Sequence, residues 1–348
     1  MVTIKEIARS VGVSSATVSR VLNYDATLSI SAPKRKAIIE TAEALNYATP
    51  RNRNRTNGTP QAVGPVPGSA ATKIALVHFL SPAEELADPY YIGVRLGIES
   101  RCQALKIEVM RVYHTDCLPE PALLQNASGV IAVSKHFENE ISWLRQHSRH
   151  IVFADVCPTI DLFDCVESDL RHAMNRLLDS AYAVGYRRIG FIGGKESLHN
   201  RVYPLGEKRC SAYIEWMTDK GLFDPALCLV DRLCFEGGYE LAQSILALDN
   251  PPDLLITAND NMAIGAYRAI QEKGLSIPGD IGVASFNDIP AAQFLAPPLS
   301  TVKIHAERVG EIAVDLLLEQ IAGRDFVKKV TLSTEMIWRD SCRSPEKT

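Results

Sequence analysis

No stretch of this 348-residue sequence approaches twenty consecutive apolar residues, so it offers no segment long enough to span a bilayer as a helix. Charge and polarity are mixed from Lys5 onward, without the apolar core of a secretory leader. The eight cysteines (102, 117, 157, 165, 210, 228, 234, 342) include no CxxC pair. Reduced thiols are therefore expected, with neither a zinc site nor a disulfide framework. HExxH and GxSxG are missing, and the eight histidines show no metal-ligand spacing. The run Gly190-Phe191-Ile192-Gly193-Gly194-Lys195 fits neither GxGxxG nor a P-loop, because Glu196 stands where that loop needs Ser or Thr. These absences argue against an enzyme on a Rossmann-like scaffold. No catalytic residue, metal ligand or cofactor is expected.

What is present is concentrated near the start. Thr3 and Glu6 have capping-box spacing, and Ile4, Ile7, Ala8 and Val11 then form one apolar helical face. Gly12 permits a sharp turn, Ser14 is a good N-cap, and Val13 can staple onto Val18. At 100° per residue, Val18, Val21 and Leu22 fall on one side of the second helix. Ser15, Ala16, Ser19, Arg20 and Asn23 fall on the other, short enough to let a backbone approach closely. A third helix is expected from Ser31-Ala32-Pro33, with Ile38, Ala42 and Leu45 facing its core. This is the helix-turn-helix layout, although an ordinary three-helix subdomain presents the same periodicity. Charge favours the first reading. Residues 1–55 hold nine Lys or Arg against four Asp or Glu, leaving 28 against 37 in the rest, a basic head on an acidic body.

Residues 49–72 read as a linker, first Arg/Asn-rich and then rich in Gly, Pro, Ser and Ala. Beyond it, short apolar runs alternate with helical patterns. Strands are expected at 74–80, 107–113, 130–134, 151–156, 188–193, 227–231, 254–257 and 281–286, with a last strand-like run at 330–338. Helices are expected at 91–105, 170–184, 207–222, 239–248 and 262–273. That alternation predicts parallel sheets, and its length predicts two α/β lobes. Ligands of such sheets bind beyond the carboxyl ends of the strands, which here means 81–91, 155–156, 193–207, 259–260 and 287–288. Those loops are rich in amides and carboxylates.

Thr3-Ile4-Lys5-Glu6-Ile7-Ala8, Gly12-Val13-Ser14, Ala16-Thr17-Val18-Ser19-Arg20-Val21-Leu22-Asn23 and Leu45-Asn46-Tyr47 closely resemble the head of the lactose/galactose repressor (LacI/GalR) family. Asp88-Pro89-Tyr90-Tyr91, Asp155, Arg209 with Tyr213, Ala258-Asn259-Asp260, Phe286-Asn287-Asp288-Ile289-Pro290 and the run Pro297 to Val302 extend the resemblance through the body. The pattern is most similar to repressors of β-galactoside operons, the evolved-β-galactosidase type. The resemblance implies an all-α helix-turn-helix head (1–48), a linker or hinge (49–72) and a core like periplasmic sugar-binding proteins (73–345). Its two Rossmann-like lobes are expected at about 73–166 with 298–325, and 167–297 with 326–345.

The resemblance further implies a cytoplasmic, nucleoid-associated repressor, acting as a homodimer on double-stranded operator DNA and released by a small sugar. A corepressor-dependent logic with a purine, or a global regulator of the same family, is the nearer alternative; a periplasmic receptor and an enzyme are more distant. Arg20 would read a base edge, with Ser15 and Ala16 tuning the half-site. Ser14, Ser19, Asn23 and Tyr47 would position phosphates, and Thr3 and Thr17 complete the DNA-facing set. Asp155, Arg209, Asn259 and Asn287 would grip sugar hydroxyls, with Phe235 as a stacking face and Tyr90 or Tyr91 as a wall beside Asp88. Taken singly, each has an ordinary role: Asp155 and Asn287 as loop caps, Arg209 as a salt-bridge partner, Phe235 as core, Asn259 as a helix cap. Three departures stand out. Asn287 replaces the family's usual Asp, Ile304 replaces a polar residue, and no leucine lies between Leu45 and Leu76 to serve a hinge helix. The family's tetramers carry a C-terminal heptad helix, whereas here a polar tail follows the last strand-like run, so a dimer is expected.

Overall fold

The computed structural model describes residues 4–22, 30, 31, 34, 37, 38, 41, 72–78, 80–113, 120–134, 136, 138–158, 162–198, 201–203, 207–343 and 345. The chain divides into two units, residues 1–63 and 64–348. Thr3, Asn23, Tyr47 and the linker to residue 71 lie outside the described residues, as do the side chains of Ala16 and Ser19.

In the first unit, α1 (Ile4–Val11) and α2 (Ser15–Leu22) are joined by a turn in which Gly12 adopts φ +68°. Only glycine takes that conformation without strain. Ser14 caps α2, its Oγ accepting from Thr17 N at 3.1 Å and lying 2.8 Å from Thr17 Oγ1. Ala8, Val18, Val21 and Ile38 are buried, while Ser15 and Arg20 are exposed. Burial and exposure therefore separate along the two edges that the periodicity predicts.

The second unit contains two six-stranded sheets. In the first, β1 (Lys73–His78), β2 (Glu108–Tyr113), β3 (Gly129–Val133), β4 (Ile151–Ala154), β5 (Asp164–Ser168) and β13 (Lys329–Leu332) lie in the order β2-β1-β3-β4-β5-β13. The second orders β6 (Ile189–Gly194), β9 (Cys228–Asp231), β10 (Leu254–Thr257), β11 (Gly282–Asn287), β12 (Ser300–Lys303) and β14 (Glu335–Ile337) as β9-β6-β10-β11-β12-β14. Every neighbouring pair in them is parallel except β12 with β14. A short hairpin joins β7 (Glu196–Leu198) to β8 (Arg201–Tyr203). The central strands are buried continuous apolar runs, as strands covered on both faces must be.

The helices that matter for the site are α3 (Pro82–Ala87), α4 (Pro89–Leu105), α7 (Lys208–Asp219), α8 (Phe235–Leu246), α9 (Asp260–Glu272) and α10 (Ala306–Ile321). Between them in sequence lie α5 (Glu138–His147) and α6 (Leu170–Ala183). Glycines let two helix pairs touch backbone to backbone, α4 against α10 and α8 against α9. A Cβ on Gly97 would stand 2.0 Å from Glu307 O, and one on Gly265 would stand 2.1 Å from Phe235 O.

Two expectations need correction. β12 belongs to the second sheet and β13 to the first, so 298–325 and 326–345 do not each stay in one lobe. The signal was hidden because Ser300 and Thr301 look like turn residues. Their hydroxyls are buried and bonded to Arg339 O and Asp260 Oδ1. The second correction concerns the thiols. Cys157 and Cys165 form a disulfide, with Cα atoms 5.2 Å apart. Cys157 follows β4 and Cys165 lies in β5, the strand paired beside it, a proximity that CxxC spacing does not report.

Candidate effector site

Strand order reverses around β1 in the first sheet and around β6 in the second, and the site forms at the carboxyl ends beside both reversals. In the first lobe, Asp88 caps α4 by accepting from Tyr90 N at 3.1 Å, which fixes the two tyrosines that follow. Tyr90 OH donates to Asp155 Oδ1 in a short bond. Tyr91 OH donates to Asp155 Oδ2 at 3.1 Å and lies 3.0 Å from Ser134 Oγ. Asp155 follows β4 with φ +75°, Ser134 follows β3 with φ +62°, and Asn287 ends β11 with φ +114°. Strained left-handed backbone thus gathers at strand ends around one place, where it turns side chains out of the sheets.

The second lobe contributes Arg209 from the first turn of α7. Glu207 caps this helix through Cys210 N and holds Arg209 Nε at 2.8 Å with its other oxygen. Arg209 also donates to Ala258 O and stands 5.6 Å over the Phe286 ring. Asn259, one residue on, is buried and caps α9 through Met262 N at 2.9 Å. Asp260 forms a buried hub, accepting from Thr301 Oγ1 and Ile289 N, each at 2.8 Å.

Charge ties the lobes together. Burial raises the Asp155 carboxyl to about 6, partly offset by the tyrosine hydroxyls and by Arg209, while Asp88 pushes it further up. Burial also raises Asp88, again opposed by Arg209. Burial beside Asp155 drives both tyrosines well above the usual phenol range, so they remain donors. Arg209 of one lobe therefore faces Asp155 and Asp88 of the other across the seam.

The structure brings Asp88, Tyr90, Tyr91, Asp155 and Arg209 into one network with Asn259 at its margin. Phe235 starts α8 and is half-buried, and Asn287 is half-buried at the end of β11. Among the described residues, no side-chain hydrogen bond joins either of them to the network. Sequence reading passed over Ser134 and Glu207, which orient Tyr91 and Arg209. A lone Ser or Glu after or before an element carries no spacing signal.

Residues 178–342 match the periplasmic binding protein-like domain, and residues 3–50 match the bacterial regulatory proteins of the lacI family. The HTH-type transcriptional repressor MelR of Bacillus subtilis (strain 168) is 34% identical over 98% of both chains. The chain belongs to the LacI family. Within that family, the lactose operon repressor of Rhizobium radiobacter is 66% identical over 110 residues, 32% of this chain and 97% of that one. A solved lac repressor dimer bound to operator and the anti-inducer ONPF shares the fold, with a TM-score of 0.68 at 22% identity over 98% of both chains. This LacI-family regulator thus joins a helix-turn-helix head to a periplasmic-binding-protein-like core of two parallel-sheet lobes. No helix among its described residues is long and apolar enough to cross a membrane.

Proposed function

We propose that this chain is a cytoplasmic, nucleoid-associated homodimeric repressor of a sugar-utilisation operon, released from its operator by a galactoside bound between the lobes. The observation that carries the reading is the Asp155 carboxylate, held by Tyr90 and Tyr91 and faced by Arg209. A fixed carboxylate opposite a fixed guanidinium grips neighbouring hydroxyls in paired hydrogen bonds. Asp88, Phe235, Asn259 and Asn287 complete the lining. The 66% identity over 110 residues with a lactose operon repressor supports a galactoside over other sugars. The head (1–48) reads DNA, 49–72 tethers it, and 73–345 senses the effector. Sugar shifts the equilibrium only by binding the closed lobes more tightly than the operator-bound arrangement.

The test is calorimetric titration of the full chain with galactose, lactose, other galactosyl disaccharides and a purine. Galactoside binding that Asp155→Ala removes supports the reading. Binding of the purine alone replaces it with corepression.

Two further outcomes follow. A hydroxyl donated to Asp155 pulls its pKa down from about 6, so binding there releases a proton. Galactoside affinity is expected to fall as pH drops through about 6, by at most about tenfold per pH unit, and Asp155→Asn should flatten the profile. The fold responds with the opposite sign. A carboxyl raised from 3.8 to about 6 contributes stability that is complete below 3.8 and lost as pH rises through about 6. In the head, Arg20 is exposed on the face of α2 opposite buried Val18 and Val21. Arg20→Ala is expected to cost about 1–3 kcal/mol of operator affinity and to relax one base position. A gel-shift titration against single-base operator variants checks both.

A further inference from the structure

The side chain of Asn261, in the first turn of α9, reaches from one lobe to the other. Its Nδ2 donates to Ala87 O at 3.1 Å, across 174 residues of sequence. A carbonyl oxygen only accepts, so the amide nitrogen must face Ala87 and Oδ1 must face away from it. Asn261 is 5% exposed, and its Oδ1 is buried without a hydrogen-bond partner. Folded proteins leave few such acceptors unsatisfied, and one at a ligand seam calls for a donor brought by the ligand.

Both ends of this bridge are anchored. Ala87 closes α3, which is pinned to the first lobe through buried Glu85. That carboxylate accepts from Arg95 Nε at 2.7 Å and Tyr113 OH at 3.0 Å, and lies 3.6 Å from His78 Nε2. Asn261 follows Asn259 and Asp260, whose side chains cap α9 and tie it to Ile289 and Thr301. The bridge also stands beside the charged pair of the site. Ala87 precedes Asp88, whose carboxyl senses Arg209, and Arg209 bonds to Ala258 just before the Asn259 cap.

We propose that Asn261 is a further effector-contacting residue, resting on the galactoside reading above. Its nitrogen latches the closed lobes at Ala87 while its oxygen accepts from one hydroxyl of the bound sugar. Because Ala87 belongs to the opposite lobe, the oxygen is oriented for the sugar only when the cleft is shut. One side chain then makes occupancy and closure mutually dependent.

The experiment titrates the native full chain, Asn261→Ala and the isosteric Asn261→Asp with galactose and a set of monodeoxygalactoses. Melting of each unliganded protein verifies its fold. Both variants are expected to bind galactose about tenfold or more weakly than native. For one deoxy sugar, the gap between native and Asn261→Ala should narrow to the share that the Ala87 latch contributes, because the hydroxyl that Oδ1 accepts from is gone. Native-like galactose binding by either variant overturns the inference. So does an equal loss against every deoxy sugar, which marks a structural role only. Failure of the native chain to bind any galactoside overturns the function proposed above, and this inference with it.

Discussion

Arg209→Ala is expected to weaken galactoside binding by about 100-fold or more, equivalent to about 2.7 kcal/mol. The guanidinium is buried and held in place, with Glu207 at its Nε, Ala258 O at one terminal nitrogen and the Phe286 ring beneath it. It is also the cation that opposes Asp155 and Asp88 across the seam. Its removal takes away the charged donors to the sugar and leaves two carboxyl groups that disfavour each other's ionisation. Breaking one side of a buried pair costs about 3–5 kcal/mol, so the unliganded core should also unfold at lower urea. Arg209→Lys separates the two effects. It keeps the charge but lacks the planar fork, so it should recover stability better than affinity. Calorimetry and urea unfolding on the three proteins provide both numbers. An alanine variant that titrates like native would remove Arg209 from the site.

Gly97→Leu is expected to abolish folding of the core, and Gly97→Ala to destabilise it by about 3 kcal/mol, the upper end for overpacking. The reason is backbone contact between α4 and α10. A Cβ at Gly97 would meet Glu307 O at 2.0 Å and Glu307 Cα at 2.8 Å, and a Cβ at Gly310 would meet Val94 O at 2.2 Å. No side-chain rotation relieves a clash with backbone, so the helices must separate. α4 carries Tyr90 and Tyr91 at its start, and a shift there would also loosen Asp155. Gly221→Ala is the control. Gly221 has φ +69° but nothing within 4 Å of a built Cβ, so its cost is conformational, about 1–2 kcal/mol. Thermal unfolding of the three variants tests the order. Equal melting of Gly97→Ala and native would refute the close packing.

The two kinds of residue differ in how plainly the sequence announces them. α1, its Gly12 turn and α2 were readable because local chemistry sets them. Capping, a 3.6-residue period and one left-handed glycine act within a few residues of each other. The eight expected strands of the body are all present, since continuous apolar runs between polar loops fit only buried parallel strands. β5 and β12 escaped. Asp164, Ser168, Ser300 and Thr301 look like loop residues, yet all four are buried, and Asp164, Ser300 and Thr301 find partners in distant parts of the chain. The lobe boundaries failed for the same cause, because strand order is decided by which edges pair after the chain crosses.

The sequence by itself determined the class of molecule. A basic helix-turn-helix head, a linker and two α/β lobes follow from periodicity, charge and motif, which are local or additive properties. It also put Asp88, Tyr90, Tyr91, Asp155 and Arg209 at strand ends and helix starts. Only the tertiary structure decided that these five form one network, that Cys157 pairs with Cys165, and that Asn261 reaches Ala87. Those facts depend on distances between segments separated by up to 174 residues. Such distances are fixed by packing, through contacts like Gly97 on Glu307, and packing leaves no periodic trace along the chain.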